Sequence, residues 1–290
     1  MKKKIYLYIQ NILPQFLITK FFSYFSKKKL SIITTSIIFL FIKIYKINMK
    51  EVKYPNIFHY KTFNKFFIRK LNMNKRPIDN NKNHIIQNTD GTINEVGIIK
   101  KNTLFQFKGC NYSLYNLIGK DSKINKIFTN GFFINVYLSP KDYHRVHMSC
   151  NGTLLKMIYI PGKLFPVNNI VSNNLCNLFI LNERVIFIFK TSFGFIIKIL
   201  IGAQIVGGIY TSWYGSVISS RTNNIKIWNW PYINNFYKRD FIYLKKGEEM
   251  GYFNIGSTVI TLFPPKTIKF NPILKKGLKI KIGELLAYII

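Results

Sequence analysis

Apolar and polar residues follow two different rhythms along this chain, and the change between them falls near residue 50. Ile5 to Phe25 is apolar and aromatic, with scattered polar residues and lysines at both ends. Leu30 to Ile42 carries no charge and then meets Lys43. A helix over that stretch reaches about 20 Å, short of the ~30 Å hydrocarbon core of a bilayer. Lysine-flanked apolar helices of that length suit a position in the membrane interface, anchored without spanning. The plain alternative is a pair of helices packed on a core.

Beyond Glu51 the pattern is mixed, with a short helix expected over "FNKFFIRKL". From Thr92 onward it is strand-like. Arg184–Lys190 and Gly194–Ile201 are β-branched and aromatic runs separated by Thr191, Ser192 and Phe193, which reads as a hairpin. Ser257–Phe263 and "LKIKIGELLAYI" read as further strands. No internal repeat and no low-complexity linker divides the chain. The expected fold is α+β: a mainly β catalytic core behind N-terminal membrane-associating helices at residues 1–50.

Charge changes this picture only in part. The formal net charge is +32. Lysine supplies most of it; the arginines are Arg69, Arg76, Arg145, Arg184, Arg221 and Arg239. Lysine, asparagine, isoleucine and phenylalanine are abundant together, a pattern of AT-rich codon drift that places lysines on a solvated surface without any partner. Base readout and bidentate phosphate contacts favour arginine, so nucleic acid is not expected. An anionic membrane needs only diffuse positive charge. The three cysteines, Cys110, Cys150 and Cys176, match no disulfide framework or metal motif, and a reducing compartment is expected. The N-terminus opens like a signal peptide, but Gln10, Asn11 and Gln15 interrupt it and no small-residue cleavage site follows. It reads as retained.

Three places hold candidate chemistry: Asp90 before Gly91, His144 and His147 within "HRVH", and Ser257 at the mouth of an apolar strand. Each has an ordinary structural reading as a turn, a core hydrogen-bonder or a cap. Together they form an Asp-His-Ser set, in which His is the base and Asp fixes its tautomer. Chain order does not decide such sets. Two rival chemistries use the same residues. Zinc could take His144, His147 and Cys150, but the HExxH helix is absent and no metal site is expected. A membrane-associated serine hydrolase could use the triad, but Ile255 and Val259 stand where a nucleophile elbow needs glycines.

The blocks "TFNKFFIR", "DYHRVHM", "NERV", "WNWP" and "KGEEMGYFNIGSTVI" resemble the signature blocks of bacterial phosphatidylserine decarboxylases. The resemblance runs from near Tyr8 to near Ile290. Ile255 stands where the family often has leucine, and Ser149 where proline is common. The resemblance implies a self-processing proenzyme. Asp90 orients His147, His147 deprotonates Ser257, and the chain is cut between Gly256 and Ser257. Ser257 then becomes a covalent pyruvoyl group, the cofactor. Residues 51–256 are the catalytic part of the large chain, and residues 257–290 form the small chain of the same fold. The cofactor meets the amine of phosphatidylserine as a Schiff base, and decarboxylation yields phosphatidylethanolamine. His144 is implied as the acid or base of that second stage. The implied partners are the substrate, an anionic membrane surface and the enzyme's own two chains, with homodimers known in the family. The implied place is the cytoplasmic side of the inner membrane, held peripherally.

Overall fold

The computed structural model describes residues 2–204, 208–217, 223–230, 241–254 and 257–290. Three helices open the chain: α1 Lys2–Ile12, α2 Gln15–Ser26 and α3 Ile32–Tyr45. A fourth, α4 Phe63–Phe67, follows where the sequence predicts a short helix. Thr62 caps α4 by accepting the Lys65 N–H at 3.1 Å. Among the described residues, four further single-turn or two-turn helices lie between strands.

The strands in chain order are β1 His84–Ile86, β2 Gly91–Ile98, β3 Thr103–Phe107, β4 Cys110–Ser113, β5 Phe132–Leu138 and β6 Arg145–His147. Next come β7 Gly152–Ile160, β8 Arg184–Thr191, β9 Gly194–Ile201, β10 Ile209–Thr211, β11 Gly215–Ser216 and β12 Lys226–Asn229. The last are β13 Tyr243–Leu244, β14 Glu249–Phe253, β15 Ser257–Phe263, β16 Ile268–Phe270, β17 Lys279–Ile280 and β18 Leu285–Ile289. The largest sheet runs β12-β7-β8-β9-β15-β5-β2-β17, with β13 also on β7. A smaller sheet runs β11-β10-β14-β6, and β18 sits between β1 and β16. The predicted β8–β9 hairpin forms with a tighter turn than the sequence suggests, because Thr191 joins the ladder opposite Gly194. The final apolar run is two strands, broken at Gly283, whose φ of +91° suits glycine.

β15 lies between β5 and β9, and every residue of it is buried. A strand covered on both faces is expected to be apolar throughout. Ser257, Thr258 and Thr261 depart from that rule. Thr261 receives the Asn88 side-chain amide at 3.4 Å, whereas the Ser257 and Thr258 hydroxyls have no partner.

α3 packs through Ile38 and Phe41 on Phe63, Phe66 and Tyr60, while Ile32, Ile33, Ile37, Phe39, Leu40 and Ile44 face outward. α2 is pinned to the core by Gln15, whose side-chain oxygen accepts the Leu164 N–H at 2.8 Å. Gln15, one of the polar residues that spoils the signal-peptide pattern, is therefore a docking residue. No helix of the described residues is long and apolar enough to cross a membrane.

The expectation of unpaired cysteines is corrected. Cys110 and Cys176 form a disulfide with Cα atoms 5.8 Å apart, and Cys150 is free and buried. Their separation of 66 residues gave no local spacing to read; the fold brings the β3–β4 hairpin to the segment after residue 172.

Asn182 braces the strand end beside Ser257. Its amide donates to the carbonyls of Phe165 and Gly202 at 2.9 Å each, and its oxygen accepts the Phe165 N–H at 3.1 Å. Replacing Asn182 with leucine strands these buried backbone groups, so unfolding in urea should show a loss of about 2–4 kcal/mol. A change under about 0.5 kcal/mol would remove this bracing role.

Candidate active site

Ser257 begins β15 opposite Leu138 of β5. Its hydroxyl is fully buried and bonds to nothing. An unpaired buried hydroxyl costs roughly 1–3 kcal/mol, so it calls for a functional explanation. Ile255 and Gly256, the residues just before it, lie outside the described residues. The chain leading to them is held at Asn254, whose carbonyl accepts the Asn64 amide of α4 at 3.3 Å.

His147 ends β6 and His144 immediately precedes that strand, three positions from His147, so along the extended chain their rings point to opposite sides. That alternation separates the two rings and does not bring them together as ligands of one ion. His144 is fully buried, and its backbone carbonyl accepts the Phe253 N–H at 3.1 Å. Its Nδ1 donates to the Asp142 carbonyl at 2.9 Å. A carbonyl can only accept, so the proton of the neutral ring sits on Nδ1 and Nε2 is bare. That Nε2 is buried and without a partner. Burial pushes the His144 pKa down to about 3, assisted by the nearby Arg69 cation. The ring also interacts with the backbone of Leu138, the residue opposite Ser257. The His144 ring and Ser257 thus both neighbour Leu138.

His147 is occupied at both nitrogens. Nδ1 donates to the Gly247 carbonyl at 2.8 Å, and Nε2 accepts from the Tyr143 hydroxyl at 3.1 Å. Burial lowers its pKa, against the pull of the Gly247 carbonyl. Asp90 is held elsewhere: its carboxylate accepts the Ile282 N–H at 2.8 Å and the Arg76 guanidinium at 3.1 Å. Burial raises the Asp90 pKa, opposed by those two donors. Asp90 and His147 share no hydrogen bond here. Tyr143 lies between their surroundings: it bonds His147 and packs with Ile282, whose N–H holds Asp90.

Sequence reasoning missed the residues that set this environment. Phe67 lays its ring on His144, with centroids 4.3 Å apart. Arg69 donates to the Lys141 carbonyl at 2.7 Å, and Arg145 donates to the Ile68 carbonyl at 2.9 Å, fastening α4 to β6. The block "TFNKFFIR" was visible as a motif, but nothing in it says that Phe67 touches a histidine distant in sequence. His144 thus lies between Phe67, at the C-terminal end of α4, and the sheet that carries Ser257.

The sequence profile of the phosphatidylserine decarboxylase family matches residues 63–288. The phosphatidylserine decarboxylase proenzyme of Escherichia coli strain HS is 44% identical over 279 residues, covering 96% of this chain and 86% of that protein. The proenzyme of Escherichia coli strain Crooks is 44% identical over the same shares. The chain belongs to the phosphatidylserine decarboxylase family, a family of decarboxylating lyases.

Both histidines carry folded pKa values below the ordinary 6.5. The unfolded chain therefore binds more protons than the native one once the pH falls under that value, and stability is lost on acidification. Urea midpoints should fall between about pH 7 and pH 5.5, and His144→Gln should flatten the slope. An unchanged slope in that variant would place the titration elsewhere.

Proposed function

We propose that this protein is a self-processing phosphatidylserine decarboxylase whose cofactor is made from Ser257. The observation that carries the reading is the partnerless Ser257 hydroxyl at the start of the central strand, in a chain related to proteins named proenzymes. In the proenzyme His147 takes the Ser257 proton, with Asp90 supporting it. The Tyr143 hydroxyl now on His147 Nε2 must swing aside for that step. The Ser257 oxygen attacks the Gly256 carbonyl, replacing the peptide bond with an ester and freeing the Ser257 amine. Loss of the Cα proton expels the Gly256 carboxylate. Water then displaces ammonia and leaves a pyruvoyl group on the chain 257–290, with 1–256 as the large chain.

The residues present fit that group: it would stand where the Ser257 hydroxyl is buried and unbonded, and the buried His144 Nε2 is unpartnered as well. A pyruvoyl ketone supplies an electrophile for the serine headgroup amine and a sink for the electron pair left by carbon dioxide. His144 is the residue for the proton moves that follow. Its bare Nε2 accepts or returns a proton while Nδ1 stays tied to the Asp142 carbonyl. Phe67 and the buried strands exclude water around it.

The outward apolar faces of α2 and α3 support a membrane role. Phe21, Phe22 and Phe25 on α2 are exposed beside Lys20, Lys27 and Lys28, and Ile32 of α3 is 77% exposed. Such a patch on a basic protein fits the headgroup region of the inner membrane's cytoplasmic leaflet. The enzyme is then peripheral, with α4 linking the interfacial helices to His144.

Release of carbon dioxide from phosphatidylserine in mixed micelles tests the function. Wild type should be active and Ser257→Ala inactive. Asp90→Ala and His147→Ala should leave the chain whole on a denaturing gel. His144→Ala should still be cut, while its turnover falls about 100-fold or more. An active Ser257→Ala protein would end the reading. Removing residues 1–45 should abolish pelleting with anionic vesicles; retained pelleting would end the anchor reading alone.

A further inference from the structure

Glu183, in the block "NERV", is a buried acid that takes no part in the processing and decarboxylation steps. It is 2% exposed and stands just before β8. Its backbone carbonyl accepts the Gly202 N–H at 2.7 Å, so Glu183 and Gly202 extend the β8–β9 register by one place. The β9–β15 register, carried one place beyond Ile201 and Thr258, sets Gly202 opposite Ser257. Residues directly opposite in antiparallel strands point their side chains to the same face. Glu183, Gly202 and Ser257 therefore form one row across three neighbouring strands, on one face of the sheet. Alternation turns Arg184 to the other face, where its guanidinium reaches the carbonyls of Asn116 and Leu117.

The middle member of the row is a glycine, and the Glu183 carboxylate uses the space. The Tyr159 hydroxyl donates to Oε2 at 3.0 Å from the β7 side. Oε1 lies on the β9 side, 3.3 Å from the point that a Cβ on Gly202 would occupy. That point is about 5 Å from the Ser257 Cβ, the usual spacing of opposed side chains. The carboxylate is thus at most about 8 Å from the Ser257 Cβ, with no side chain on the strand between them. A nitrogen about 2.8 Å from a carboxylate oxygen and about 3–3.5 Å from a reacting carbon fits that interval.

The serine headgroup arrives near neutral pH as an ammonium ion. Drawing that charge into a buried site is unfavourable unless an opposite charge meets it. His144, kept neutral by burial, supplies none. The headgroup also carries a carboxylate, which a buried anion repels. An acid in this row therefore draws the nitrogen toward residue 257 and turns the carboxylate away from it.

We propose that Glu183 recognises the ammonium group of the serine headgroup and selects amine-bearing lipids at residue 257. The inference rests on the reading of Ser257 as the reactive centre, which chain cleavage tests by itself. The probes are dihexanoyl-phosphatidylserine below its micelle concentration and the same lipid with hydrogen in place of the amine. Each is titrated calorimetrically into the processed, two-chain protein after borohydride has reduced the keto group, so that no covalent bond forms. Wild type should bind the amine lipid about tenfold or more tighter than the amine-free one. Glu183→Gln should lose affinity for the amine lipid alone and bind the two alike. Gly202→Ala keeps the acid but sets a methyl group against Oε1, and should lose the preference too. Equal affinity of the wild type for both lipids overturns the proposal without any variant. So does a Glu183→Gln protein that keeps the preference, or one that weakens toward both lipids by the same factor, as a merely structural residue would.

Discussion

The Ser257 hydroxyl, enclosed at the head of β15 with nothing to bond to, is the constraint around which the structure is arranged. A sheet interior normally excludes such a group or partners it, as Asn88 partners Thr261 farther along the same strand. Here the burial is complete because β5 and β9 flank the strand and the β6–β14 sheet carries His144 to the same end. That geometry keeps water from the hydroxyl, as the proposed attack on the neighbouring backbone requires. It also keeps His144 neutral, since the low-dielectric surroundings and Arg69 both disfavour imidazolium.

The helices complete this arrangement from the other side. α4 touches the site twice, through Phe67 on His144 and Asn64 on Asn254, and α3 rests on α4 through Phe41. The outward faces of α2 and α3 carry apolar side chains that a water-facing helix would not need. In the proposed headgroup-level position of these helices, Ser257 would lie one helix away from the substrate's own layer. The net charge of +32 serves the same end without specifying it.

Much of this was legible in the sequence, for identifiable reasons. Strong period and β-branched content exposed β8, β9 and β15, and the lack of charge from Leu30 to Ile42 exposed α3. The short motifs brought Asp90, His144, His147 and Ser257 forward as candidates. What sequence could not supply was their connections. Asp90 turns to Arg76 and Ile282, and His147 to Gly247 and Tyr143, because long-range packing chose those partners. The pairing of Cys110 with Cys176 was invisible for the same reason. Phe67 and Arg69 read as ordinary helix residues until the fold set them against a histidine.

The intact mass of the purified, denatured protein tests the central claim most directly. The account predicts two chains divided between Gly256 and Ser257, with the 257–290 chain lighter than its sequence by one ammonia. A single chain of full mass, with an unmodified serine at 257, in a preparation that decarboxylates phosphatidylserine would contradict it.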